Sequence, residues 1–224
     1  MPAHKNAFKY NTFGSAPILT PYTMQKNEPL IRDFIESLDE KYRTQSKLSK
    51  KAPEDIVEKA TRPSIKADKP WFDVEYIRDS LRFKTICDLN VMTRIAKELF
   101  DSPFEILKID TVKLLNPKSR GWRMIAIDLR APNGQLIEYQ WLVPEMNKAG
   151  RQNHLLYKRW RDADPAELSQ AELIKMNRDY YKASHLCKKA WQDYLKRTRQ
   201  TEADVKSVIE RLHEILTGEN DEKR

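Results

Sequence analysis

Apolar positions recur at helical spacing in four stretches of the chain. Leu30, Ile31, Phe34, Ile35 and Leu38 predict a helix from an Asn27 N-cap, with Glu28 and Pro29 in its first turn, to about Tyr42. Met92, Ile95, Ala96 and Leu99 predict a second, capped at Asn90. A third starts near Ser169 and runs to Arg197, with Leu173, Met176, Tyr180, Cys187, Trp191 and Tyr194 roughly along one stripe. The fourth starts at Thr201, with Asp204 as its capping-box partner and Gly218 placed to end it. Its apolar positions are Val205, Val208, Ile209, Leu212, Ile215 and Leu216, and these stripes read as core or oligomer contacts. A shorter helix is expected from Pro53 through Ile56 and Lys59, after a basic loop holding Lys47, Lys50 and Lys51.

Strand patterns fill the space between. The segment from Asp79 ends as a strand at Cys87, Phe104–Thr111 reads as another, and two more flank Pro132-Asn133-Gly134. Asn-Gly between alternating apolar residues is a strong hairpin signal. Strand, helix, strand and hairpin in that order predict an α+β fold, a mixed β-sheet flanked by helices, with a helical C-terminal extension. The expected organisation is an extended arm over 1–26, a core domain over 27–162 and the extension over 163–224.

The hairpin raises a chemical question. If Asn133-Gly134 is a two-residue turn, Leu129 faces Glu138 and Ile127 faces Gln140. Alternation then sets Glu138 among Ile125, Ile127 and Leu129 on one side of the sheet. A carboxylate there is costly unless paired, hydrogen-bonded or holding a metal. A salt bridge to Arg82 or Arg123 answers that cost as well as a metal or catalytic role does.

Composition narrows the function classes. The chain carries 41 Lys and Arg against 33 Asp and Glu, a net +8. The surplus is local: residues 147–200 hold 13 bases and 6 acids, a net +7, whereas residues 201–224 hold 7 acids and 4 bases, a net −3. Such a stretch suits a polyanionic partner such as nucleotide phosphate or RNA, or simply a solvated helix face. No run approaches the roughly 20 apolar residues of a membrane span, and Met1–Pro17 lacks the apolar core of a secretory leader. A cytoplasmic protein is expected, although a machine that reads no leader could deliver it to a target cell as a toxin. Cys87 and Cys187 stand a hundred positions apart and read as inert thiols. His4, His154, His185 and His213 lack metal-ligand spacing.

Five segments in register resemble the synthetase domain of the RelA/SpoT alarmone enzymes. Ala52-Pro53-Glu54-Asp55-Ile56-Val57-Glu58-Lys59 resembles the family's K-P-E-S-I-x-x-K helix. Ile77-Arg78-Asp79-Ser80-Leu81-Arg82 is similar to its I-R-D-x-x-x-x-R segment. Asn116-Pro117-Lys118-Ser119-Arg120-Gly121-Trp122-Arg123-Met124-Ile125-Ala126 resembles N-P-K-x-N-G-Y-R-S-x-H. Ile137-Glu138-Tyr139-Gln140 resembles the v-E-I-Q strand, and His154-Leu155-Leu156-Tyr157 a later H-x-x-Y. The matches span half of the chain and leave out the arm and the last 60 residues. Ser49, Ala126 and Trp122 stand where the family has Arg, His and Tyr. No His-Asp hydrolase signature is present, so synthesis without hydrolysis is expected.

The resemblance implies a nucleotidyltransferase-like synthetase fold and a pyrophosphokinase. Asp79 and Glu138 match the carboxylates that hold Mg²⁺ and activate the acceptor hydroxyl. Lys51, Lys59 and Arg82 match ATP phosphate-binding positions. Trp122, Arg123, Gln140, His154 and Tyr157 match the acceptor side, with Trp122 in the place of an aromatic that stacks on the acceptor base. ATP is the implied donor, and GDP or GTP the implied acceptor in alarmone synthesis. Toxins of the same fold modify adenosine nucleotides or the tRNA 3′ end, and an antitoxin or immunity partner, or a homo-oligomer, belongs to that range. A non-catalytic nucleotide- or RNA-binding module is the alternative of a different class.

Overall fold

A computed structural model describes residues 21–71, 73–74, 77–117, 121–160 and 163–218; the arm over 1–20 and the Lys118-Ser119-Arg120 part of one motif lie outside the described residues. The chain forms α1 (Pro21–Tyr42), β1 (Gln45–Lys50), α2 (Pro53–Thr61), α3 (Pro63–Asp68), β2 (Leu81–Ile86) and α4 (Leu89–Phe100). There follow β3 (Glu105–Asp110), α5 (Val112–Leu115), β4 (Ile125–Arg130), β5 (Leu136–Leu142), α6 (Pro144–Trp160), α7 (Gln170–Thr198) and α8 (Glu202–Thr217). The five strands lie in the order β1-β2-β5-β4-β3, with β2 and β5 parallel and every other pair antiparallel. The mixed sheet with its helices and C-terminal helical region is as expected. No helix among the described residues is long and apolar enough to cross a membrane.

One face of the sheet makes the core. Leu81, Phe83, Ile125, Ile127, Leu129, Ile137, Tyr139 and Trp141 are buried there in one cluster with residues of α1, α4, α7 and α8. Phe83 stacks on Tyr139 at 4.0 Å between ring centroids, and Phe34 of α1 meets both edge-on. Burying side chains of this size contributes about 1.5–3 kcal/mol each, so this face anchors the helices. Cys87 and Cys187 are both free and buried, and burial pushes both thiols above their ordinary range.

Several local expectations shift. α1 starts at Pro21, so Asn27 lies inside it and is no N-cap. Its buried amide instead donates to Asn133 Oδ1 at 2.8 Å and Gln135 Oε1 at 2.6 Å, pinning the hairpin turn. The basic loop before α2 is the edge strand β1, and α4 is preceded by Asp88 in the N-cap position rather than Asn90. At the C-terminus the capping boxes of Ser169 with Glu172 and Thr201 with Asp204 are formed, and Gly218 closes α8 at φ 73°. The helix α6 starts at Pro144 with Glu145 in its first turn.

The largest correction concerns the hairpin. Ala131 N–H donates to Gln135 O at 2.9 Å, and Gly134 N–H donates to Ala131 O at 2.8 Å. This is a three-residue loop, Pro132-Asn133-Gly134, with Gly134 at φ 87° as its bulge residue. A two-residue Asn-Gly turn needs a donating N–H at position 132, which proline lacks. The extra loop residue moves the pairing by one, and a one-residue slip transfers a side chain to the other face. Leu129 therefore pairs with Ile137, and Glu138 pairs with Asp128 rather than Leu129. Glu138 does not stand among isoleucines.

Candidate active site

The face opposite the core is polar, and the register writes its rows. One row reads Ser49, Arg82, Glu138, Asp128 and Lys108 across β1, β2, β5, β4 and β3. The next reads Lys47, Lys84, Gln140 and Ala126. These side chains alternate with the buried Phe83, Ile127, Leu129 and Tyr139, which is why every second position is partly exposed. Gln140 Nε2 donates to Glu138 Oε1, which orients that carboxylate.

Among the described residues no carboxylate pairs with Lys47, Arg82, Lys84 or Arg151. Lys84 donates to Asn147 Oδ1 at 2.9 Å. Burial, followed by repulsion from Lys47, Arg82 and Arg151, lowers its pKa. Cations held together against their own repulsion cost stability, and an anionic ligand recovers that cost. Asn147 and Arg151 lie on α6 along the stripe that continues, at i+7 and i+11, through His154 and Lys158.

Asp79 stands in the turn before β2. Lys59 Nζ of α2 lies 2.6 Å from its Oδ1, and Lys51 Nζ, just past β1, lies 3.3 Å from Oδ2. Burial raises its pKa, but the Lys59 and Lys51 ammoniums outweigh burial and hold the carboxyl below its ordinary value. The neighbouring Arg78 pairs through Nη1 with Asp128 Oδ2.

Not every candidate joins this face. Arg123 donates to the Leu114 and Leu115 carbonyls at the end of α5, lies 4.6 Å over the Trp191 ring and is 3.5 Å from Glu202. It therefore works as a brace between α5, α7 and α8, on the parity of Ile125. Trp122 is half-buried against α6: a Cβ at Gly150 would stand 2.3 Å from its Cη2 atom. Gly121, at φ 68°, lets the chain pass α7, where an added Cβ would meet Cys187 Cβ and Lys188 Cγ at 3.4 Å each. His154 is exposed. The Tyr157 side chain and Arg161 lie outside the described residues.

Asp128, Lys84, Asn147 and Arg151 were not singled out from sequence. For Lys84 a signal existed: it stands five residues after Asp79, where the family's pattern has Arg. Arg82 stands only three after. Asp128 had none, because its significance depends on the hairpin register. Among the described residues no three acidic, His or Cys side chains form a ready-made metal cage. Mg²⁺ is commonly held by one or two carboxylates, with phosphates and water completing its shell, and Asp79 and Glu138 offer hard carboxylate oxygens for that. A cavity of about 490 Å³ lies elsewhere, lined by Tyr42, Arg94, Lys97, Arg211 and neighbours on α1, α4 and α8. Its residues belong to the helical side and include none of the candidate residues.

No protein-family model matches the sequence, and no curated protein matches it. Solved structures do match. Small alarmone synthetase 1 from Bacillus subtilis bound to its product pppGpp superposes with a TM-score of 0.54 at 17% identity, over 75% of this chain and 91% of that one. Small alarmone synthetase 2 from the same organism gives 0.54 at 16%, over 78% and 96%. A GTP pyrophosphokinase family protein from Streptococcus pneumoniae gives 0.53 at 15%, over 81% and 96%. Identity this low speaks for architecture alone, and the architecture is clear: this chain has the fold of the small alarmone synthetases.

Proposed function

We propose that the chain is an ATP-dependent pyrophosphotransferase that moves the terminal diphosphate of ATP to the ribose 3′-hydroxyl of GDP or GTP. The observation that carries this reading is the polar sheet face, where Glu138 stands between Arg82 and Asp128, with Lys47, Lys84 and Arg151 close by. A polyphosphate donor with its divalent cation needs both features close together.

In this reading the acceptor oxygen bonds to the β-phosphorus, the bond to the α-phosphate oxygen breaks, and AMP leaves. Asp79 and Glu138 would hold Mg²⁺, which would offset the charge that develops during transfer. Glu138 receives the hydroxyl proton, oriented by Gln140. Lys51 and Lys59 exchange Asp79 for donor phosphates, and Arg82 and Lys84 hold the diphosphate in place. Trp122 and His154 line the acceptor side. Since Arg123 is engaged with α5 and Trp191, it braces the Trp122 loop.

A second reading, a toxin that pyrophosphorylates the tRNA 3′ end, is favoured by one specific feature. Lys188 packs beside Gly121, next to Trp122, and Arg151 and Lys158 extend positive charge along α6. A small nucleotide leaves these residues idle. Incubation with ATP labelled at the β-phosphate, and separately GDP, GTP, AMP, ATP and bulk tRNA, distinguishes the acceptors. Label in none of them, with nucleotide still bound, returns the chain to a non-catalytic binding module.

A further inference from the structure

Asp128 belongs to none of the motifs that resemble the synthetases, yet it is built into the candidate site. Its side chain is 16% exposed and stands directly opposite Glu138. Like charges directly opposite on a sheet face destabilise it, so a carboxylate here is costly unless something holds it. Arg78 does, from the turn before β2. Asp128 pairs with Glu138 across β4 and β5, so its ion pair with Arg78 stands next to the Glu138 position.

That turn is attached to a part of the molecule with its own small core. Ile56 and Ala60 of α2 pack with Ile77 and Val74 in a cluster separate from the main one. Charged contacts connect this unit to the sheet: Arg78 to Asp128, and Asp79 to Lys51 beyond β1. Lys59 of α2 reaches the same Asp79 carboxylate. Asp128 is thus tied, through Arg78, to the residue next to Asp79.

We infer that Asp128 is a positioning residue: by holding Arg78 it seats the α2 unit on the sheet, fixes where Asp79 and Lys59 stand, and keeps Arg78 off Glu138. Without Asp128, the next carboxylate in the row open to Arg78 is Glu138. Its functional consequence rests on the pyrophosphotransfer reading; the seating of α2 does not.

The test uses the full chain, as wild type, Asp128→Asn and Asp128→Glu. Amide hydrogen exchange in α2 and residues 77–80 should accelerate about tenfold or more in Asp128→Asn, as local opening becomes easier. Exchange in β4 and β5 should stay the same, and Asp128→Glu should restore most of the protection. In the transfer assay Asp128→Asn should lower kcat by about 10²-fold through misplacement. It should also raise the Mg²⁺ concentration needed for half-maximal rate and leave acceptor KM nearly alone. Unchanged exchange in α2, or exchange that accelerates equally through the whole sheet, overturns the inference. If Asp128→Asn does not fold, the swapped pair Arg78→Asp with Asp128→Arg decides. A folded swap with α2 protected supports the seating role, and one with α2 unprotected sinks it. A wild type that transfers nothing counts against pyrophosphotransfer, while the exchange data still decide on Asp128.

Discussion

Asp128 and Glu138 face each other directly across the β4–β5 pair, on the side of the sheet away from the core. Two carboxylates in that position are tolerated because their partners differ: Arg78 takes Asp128, and Gln140 donates to Glu138. Glu138 is thereby left partly exposed beside Arg82.

Removing either proposed metal ligand should stop transfer without unfolding the chain. Asp79→Asn and Glu138→Gln are each expected to lower kcat by more than about a hundredfold, since the divalent cation is the main stabiliser of the transferring phosphates. Circular dichroism should be unchanged, because neither side chain lies in the main core. Wild-type rates in either variant would remove these residues from the site.

Asp79 also predicts a pH dependence. Its folded pKa is depressed, so its ion pairs contribute stability that is present above the unfolded aspartate pKa, about 3.9. That contribution is lost as pH falls through the lower folded value. Wild type should be more stable than Asp79→Asn at pH 7, and urea midpoints for the two should converge in strong acid. A gap that widens on acidification contradicts the Lys51–Asp79–Lys59 arrangement.

Gly150 and Trp122 form a mutually dependent pair. A methyl group at 150 would stand 2.3 Å from the indole, so Gly150→Ala should push the ring from its seat. If Trp122 stacks on the acceptor base, both Gly150→Ala and Trp122→Ala raise acceptor KM, by about 10-fold or more for the loss of one stacked base, with ATP KM nearly constant. A purely packing role shows instead as a lower Tm with both KM values retained.

Asn27 offers a stability check on the hairpin. Its buried amide joins α1 to Asn133 and Gln135. Asn27→Ala leaves those turn groups without that partner and should cost about 1–3 kcal/mol, measurable by urea denaturation. A neutral outcome would mean that Pro132 and Gly134 hold the loop unaided.

The RNA reading makes its own prediction. Reversing Lys188 and Lys189 to Glu should weaken tRNA binding and flatten its salt dependence by somewhat less than one unit of slope per lost phosphate contact. Use of GDP should persist. Unchanged tRNA binding leaves the basic stretch as a solvated face.

Sequence alone determined what local physics controls. The helices of α1, α4, α7 and α8 follow from apolar spacing, and the caps at Ser169, Thr201 and Gly218 follow from side chains that satisfy helix-end groups within a few residues. The order of five short motifs pointed to the synthetase fold, and Asp79 and Glu138 could be named from it. What tertiary structure decided was which of these residues share a surface. Pro132 contributes one residue to a loop that spacing read as two, and in a structure of period two that single step carries Glu138 from the apolar face to the polar one. The pairing of β2 with β5 brings Arg82 beside Glu138 from 56 positions away. A long-range ion pair with Arg78, 50 positions away, gives Asp128 its partner. Arg123 moves the other way, into a brace between helices. These relations depend on strand register and long-range charge, which no window along the chain contains.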